Sequence, residues 1–128
     1  ARTAYSKIAA ILEGAGKSFG DVVRVVEYVK PEGIERYAEA AAIRTELFGD
    51  HRPAVNTVPV KALLRPTAFI EIEITAGPVG SETSFGSGLP VARESSGVVF
   101  LPTVQAVNKN GEIIRNGFLT IAFLLRHI

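Results

Sequence analysis

At 128 residues the chain suits one domain, and 47% hydrophobic against 21% charged residues supplies enough apolar matter for a single core. Fourteen basic and thirteen acidic side chains leave a net charge of +1 with no basic stripe, so nucleic acid is not expected as a partner. Cysteine is absent, which excludes disulfides, thiolate nucleophiles and cysteine-ligated metal.

Ala4, Ile8, Ile11, Leu12 and Ala15 recur at helical spacing, and Gly16 follows where a helix can end in a left-handed residue, so residues 2–15 are expected to form an amphipathic helix. Residues 21–30 are dense in β-branched side chains and closed by Pro31, which predicts a largely buried strand. Within it Glu27 interrupts Val23, Val25 and Val29 on one face. An acid among valines must be paired, exposed at an edge, or functional. Between residues 32 and 48, Ile34, Tyr37, Ala38, Ala41 and Leu47 alternate with charged residues at helical period, predicting a second amphipathic helix.

The run Gly49-Asp-His-Arg-Pro53 breaks that helix, and strands are expected over 55–63 and 68–75. Residues 1–76 thus read as an αβαββ body. Residues 77–88 carry four glycines among small polar residues and predict a surface loop, the first part of a Gly/Ser-rich connection over 77–96. Beyond it, 97–107 and 112–115 flank Asn108-Lys-Asn-Gly111 as a β-hairpin, and 118–128 predict a short buried helix, so that 97–128 complete one domain spanning 1–128. The most apolar stretch, 118–125, is far shorter than the about 20 residues of a membrane-crossing helix, so a cytoplasmic protein without a membrane partner is expected. His51 and His127 are far apart and read as surface residues, so no metal is expected.

The strand over 68–75 carries the chemistry. Ile70, Ile72 and Ile74 point one way, suited to a helix-covered core, while Phe69, Glu71 and Glu73 point the other. Two carboxylates so placed have Cβ atoms about 7 Å apart and raise one another's proton affinity if sheltered from water. The alternative is a solvated face, or pairing with Lys61.

Residues 1–76 resemble the body of a Rid (reactive intermediate deaminase, YjgF) subunit. The resemblance is carried by residues 1–16, by Gly20-Asp-Val-Val-Arg24 leading into a strand, by residues 37–48, by Pro53-Ala54 and by Ile70-Glu-Ile-Glu73. In that family a β-hairpin precedes the body; here the hairpin-like residues 97–113 follow it, the order produced by circular permutation, with the 77–88 loop joining the former termini. The resemblance implies an α+β fold with a chorismate-mutase-like mixed sheet, two main helices packed on one face, and a homotrimer whose active sites lie in clefts between subunits. It also implies enamine, imine or enol chemistry on a small organic substrate, with no cofactor.

On that resemblance Glu71 is the first acid/base candidate. The family's carboxylate-binding arginine directly after Pro-Ala is replaced by Val55, while Thr57, two residues on, keeps a hydroxyl on the same strand face and is the second catalytic candidate. Arg52 and Arg93 are candidate replacement cations, and Glu27, Glu73 and Gln105 complete the candidate binding set. The aromatic residue expected before the hairpin falls near Val91, and an asparagine of the second helix is Ala41. Loss of the clamp points to a specialised pathway. A non-catalytic trimer that binds a metabolite or partner, and a chorismate-mutase-like enzyme, are the alternatives.

Overall fold

The computed structural model describes residues 1–84 and 90–103. Helix α1 (Arg2–Gly14) ends where Ala15, Gly16 and Lys17 turn their N–H groups back onto carbonyls of the last turn, with Gly16 at φ +68°. Ser18 then caps a single 3-10 turn, Phe19–Asp21: its hydroxyl accepts from Gly20 N–H, and the Asp21 carboxylate accepts from Ser18 N–H at 2.8 Å. That turn delivers the chain into β1 (Val22–Val29), the expected strand.

The helix expected over 32–48 is broken. Pro31–Ile34 forms one turn (α2), and the main helix, α3, spans Tyr37–Phe48. Between them the bonds Gly33 N–H to Lys30 O, Arg36 N–H to Gly33 O and Glu39 N–H to Arg36 O tighten the backbone to i→i+3 spacing. Gly33 is pressed so closely on β3 that a Cβ there would lie 2.6 Å from the Phe69 carbonyl oxygen. The break is a tertiary effect that helical periodicity does not reveal.

Strands β2 (Ala54–Pro59) and β3 (Ile70–Ala76) flank β1, parallel and antiparallel respectively, in the order β2-β1-β3. The register places Val25, Val55 and Ile74 in one row and Glu27, Thr57 and Ile72 in the next. These rows face the helices: Tyr5, Leu12, Val22, Val25 and Phe48 form the core, with Val55, Ile72 and Ile74 packed against it. The rings of Tyr5, Phe19 and Phe48 meet at centroid distances of 4.8 to 6.2 Å. His51 is half-buried rather than at the surface, stacked on Phe48 with Nε2 2.6 Å from the Val22 carbonyl oxygen.

The connection expected over 77–96 holds two strands, β4 (Glu82–Ser84) and β5 (Val91–Ser95). With β6 (Val98–Phe100) they form a second, antiparallel sheet in the order β4-β5-β6. Ser96 and Gly97, both at positive φ, make the two-residue turn between β5 and β6, so the strand expected over 97–107 starts one residue past a hairpin turn. Three-residue strands are too short to show alternation, and Val91 and Ala92 become core only through tertiary burial. After β6 the chain runs beside β2, where Thr103 N–H donates to Val55 O and the Asn56 amide donates to Leu101 O, both at 3.1 Å. The turn at Asn108–Gly111, the helix at 118–128 and Gln105 lie outside the described residues.

Candidate functional site

On the helix-covered side of the sheet Glu27 is fully buried. Its Oε1 accepts from the Tyr5 hydroxyl of α1 at 2.8 Å, and its Oε2 accepts from the Tyr37 hydroxyl of α3 at 2.6 Å and from Arg44 Nη1. The Tyr37 oxygen lies 2.6 Å from Thr57 Oγ1 on β2 and also accepts from Arg44 Nη1 at 3.3 Å. The acid among valines is therefore paired. Burial by itself would lower the proton affinity of Arg44, but the Glu27 charge and the hydrogen bonds of Tyr37 and Glu27 outweigh it and hold the guanidinium above its ordinary range. Burial, reinforced by the Glu27 charge, likewise keeps the Tyr5 hydroxyl protonated far above the usual tyrosine range.

The opposite side carries Arg24, Tyr28, Asn56, Glu71 and Glu73. Glu73 accepts from Tyr28 at 3.1 Å and pairs with Arg24 at 3.5 Å, and its side chain is 52% exposed. Half-buried Glu71 pairs with neither Lys61 nor another side chain among the described residues; its Oε1 accepts the Leu64 N–H at 3.2 Å. That bond folds the 64–68 segment toward the free edge of β3. Between this segment, β3 and α1 lies an open depression of about 400 Å³, walled by Thr3, Lys7, Ile8, Arg65, Glu71 and Ile72. The side chains of Lys7 and Arg65 have no hydrogen-bond or ion-pair partner among the described residues, and both residues line the depression together with Glu71.

Several sequence expectations are thereby redistributed. Glu71 and Glu73 do share a face turned away from the helices. Thr57 and Val55 lie on the other face, so a single subunit does not bring them to Glu71. Val55 is partly buried and packs against the core in one row with Val25 and Ile74. Arg52 and Arg93 are held at the start of β2: Arg93 is 8% exposed and donates to the Arg52 carbonyl oxygen at 3.1 and 2.6 Å and to Glu82 at 2.7 Å, and Arg52 pairs with Glu82 at 3.5 Å. Glu71 sits opposite Tyr28, four residues along β1 from the row that begins β2, which is about 13 Å of strand. The two arginines therefore do not share its depression within one subunit. No cluster able to hold a metal ion occurs among the described residues.

The residues that sequence reasoning passed over are Tyr5, Tyr37, Arg44, Lys7 and Arg65. A signal existed for two of them: a buried acid on a strand calls for donors on the helix above it, and Tyr37 and Arg44 stand seven residues apart on one helix face. Nothing local marks Lys7 and Arg65, which line the same depression as Glu71 only through the fold.

A sequence profile of the family described as endoribonuclease L-PSP matches residues 1–77. The chain belongs to this family, the Rid/YjgF proteins. A RutC family protein of Pyrococcus horikoshii is 37% identical over 75 residues, 59% of this chain and 57% of the relative, and one of Pyrococcus abyssi is 39% identical over 69 residues, 54% and 52%. The chain thus spans little more than half the length of the curated relatives it matches. Among solved structures, a YjgF/YER057c/UK114 family member from Mycobacterium tuberculosis aligns with a TM-score of 0.52 at 36% identity, covering 56% of this chain and 59% of that one. The yeast protein YEO7 aligns with a TM-score of 0.52 at 29% identity, covering 56% and 55%. The Rid/YjgF α+β fold is therefore established for the body, and β4 to β6 lie beyond the matched residues.

Proposed function

We propose that this Rid/YjgF chain acts on a small anionic metabolite bearing an imine, enamine or enol, with Glu71 moving the proton. One observation carries the reading: Glu71 is anchored through Oε1 to the Leu64 N–H, its Oε2 has no partner among the described residues, and Glu71 lines the same depression as Lys7 and Arg65. A carboxylate so held can take a proton from a water that adds to a C=N carbon and return it to the departing nitrogen, leaving a carbonyl compound and ammonia. The two cations stand in for the carboxylate clamp that Val55 cannot form, and they favour an anionic substrate. The site is open in one subunit, and a neighbouring copy in a homotrimer supplies its outer wall and excludes water. The hairpin following the body is read as a permuted order, supported by the seating of residues 101–103 on β2 of the same chain.

The family description names an endoribonuclease, but Arg2, Arg24, Arg36, Arg44 and Arg93 are each engaged by a carboxylate. Those five arginines are therefore not free to hold a phosphate backbone. The test is ammonia release from 2-iminopropionate and related small imino and enamino acids. Glu71→Gln is expected to lower kcat by about a hundredfold, and Lys7→Met and Arg65→Met to raise KM. Turnover indifferent to Glu71→Gln overturns the reading. Saturable binding without turnover favours the non-catalytic alternative, and RNA cleavage that depends on Glu71 would replace the small-molecule reading altogether.

A further inference from the structure

The segment that joins β1 to α3 leaves a cavity of about 150 Å³ where β1 finishes and β3 begins, and we propose that it binds a primary amine carrying a compact apolar group. Of its lining residues only Ile70 also borders the Glu71 depression, so the inference stands apart from the reading of Glu71. The space follows from residue size. Gly33 can carry no side chain, since a Cβ there would lie 2.6 Å from the Phe69 carbonyl oxygen and 3.0 Å from the Val29 side chain. Ala40, buried on α3, offers only a methyl group. The two leave room against Val29, Ile43, Phe69 and Ile70, and the Phe69 ring is still 53% exposed. An apolar space of this volume accommodates a six-membered ring or a branched alkyl group.

The polar groups on the wall select the charge of the occupant. Arg36 and Glu39 close on each other, Nε donating to Oε1 at 3.1 Å and Nη2 to Oε2 at 2.8 Å. The hydrogen bond and charge of Arg36, with a smaller share from the Ala1 amino group, hold the Glu39 carboxyl below its ordinary range, so the cations of the wall act on Glu39. The Tyr37 hydroxyl is spent on Glu27. Lys30 does not line the cavity; its ammonium donates to the Pro66 carbonyl oxygen at 2.7 Å and lies over the Phe69 ring. Glu32 is then the carboxylate of the wall that has no hydrogen-bond or ion-pair partner among the described residues. A ligand ammonium donating to Glu32 completes the charge pairing while its apolar group covers the Phe69 ring. A ligand carboxylate in the same place would be repelled by Glu32.

Benzylamine, benzyl alcohol and benzoate share one ring and differ in charge, and they serve as probes in low-salt buffer at pH 7, followed through the backbone amide signals of Gly33 and Ala40. In the full chain benzylamine is expected to saturate at about threefold lower concentration than benzyl alcohol, the worth of one solvent-exposed ion pair, and benzoate to bind more weakly than both. The signals of Leu64 and Glu71 should stay in place. Glu32→Gln should bring the benzylamine midpoint up to that of benzyl alcohol and leave benzyl alcohol unchanged, a split that mere loss of packing would not produce. Ala40→Leu fills the cavity and should abolish saturable binding of all three probes. Should Ala40→Leu fail to fold, Glu32→Gln, at an exposed position, decides. No saturable shift at Gly33 or Ala40, benzoate binding as tightly as benzylamine, or a benzylamine midpoint indifferent to Glu32→Gln overturns the proposal.

Discussion

Glu27 and Glu71 stand on adjacent strands of one three-stranded sheet and face opposite sides, and the contrast between them separates an acid that holds the fold from one that is available for chemistry. Glu27 is walled in by two tyrosine hydroxyls and a guanidinium, so each of its oxygens is committed. Glu71 is half-buried, takes one backbone N–H and keeps an oxygen free among the described residues. Both were legible as acids in strands. What distinguishes them is the layer above: α1 and α3 cover the face that Glu27 occupies, whereas Glu71 lies at the β3 edge, where the 64–68 segment approaches.

The largest test of that contrast is Arg44→Leu. Removing the guanidinium leaves a buried carboxylate uncompensated and should cost about 3–5 kcal/mol in urea unfolding, whereas a loss under about 1 kcal/mol would show that Glu27 is not held as described. Replacing the whole network by Tyr5→Phe, Glu27→Val, Tyr37→Phe, Arg44→Leu and Thr57→Val together should recover wild-type stability or exceed it, because no member of the network is then left unpaired.

Next in size is Tyr5→Phe, which strips one donor from buried Glu27 and should cost about 1.5–3 kcal/mol at neutral pH. Its pH dependence follows from the raised proton affinity of Tyr5. In the unfolded chain the hydroxyl ionises near the ordinary tyrosine value of about 10, and in the folded chain it does so well above that. The contribution is therefore fully present below about pH 10 and is lost as the pH rises further. Urea midpoints of wild type and Tyr5→Phe should converge above that pH; a constant gap up to the alkaline limit contradicts the assignment.

Asp21→Asn is a smaller effect of opposite sign. The Ser18 backbone N–H, with lesser help from the Ser18 hydroxyl and Lys17, holds the Asp21 carboxyl below its usual range. The stability it lends is present above the unfolded carboxylate value of about 4 and disappears as the pH falls through the lower folded value. Wild type should exceed Asp21→Asn at pH 7 and meet it in acid, as thermal melts across that range would show. The smallest effect completes the comparison: Glu71→Gln should change the unfolding free energy by no more than about 0.5 kcal/mol, despite its expected effect on turnover. A large loss of stability would make Glu71 a structural acid like Glu27.

The path from chain to fold was readable where one element decides its own geometry. The spacing of Ile8, Ile11 and Leu12 marks α1, the valines mark β1, and the alternation of Ile70, Ile72 and Ile74 with Glu71 and Glu73 orients β3 correctly before any partner is known. Glu27 could be narrowed to three fates but not assigned one. The break between α2 and α3 was hidden because it depends on the Phe69 carbonyl, thirty-six residues from Gly33. Strands β4 and β5 were hidden because runs of three and five residues, Glu82-Thr-Ser84 and Val91-Ala-Arg-Glu-Ser95, are too short to carry a periodic signal, and they exist through pairing with one another.

The same division governs the candidate site. Residue order by itself determined the αβαββ body, the outward face of Glu71 and the loss of an arginine at Val55, since strand alternation and motif position are local properties. Tertiary structure alone decided that Arg44 and not Lys61 meets a carboxylate, that Arg52 and Arg93 are spent on Glu82, and that Lys7 and Arg65 line one depression with Glu71. Those outcomes depend on which faces are covered and which side chains reach across from distant elements, and no spacing along a single chain encodes them in advance.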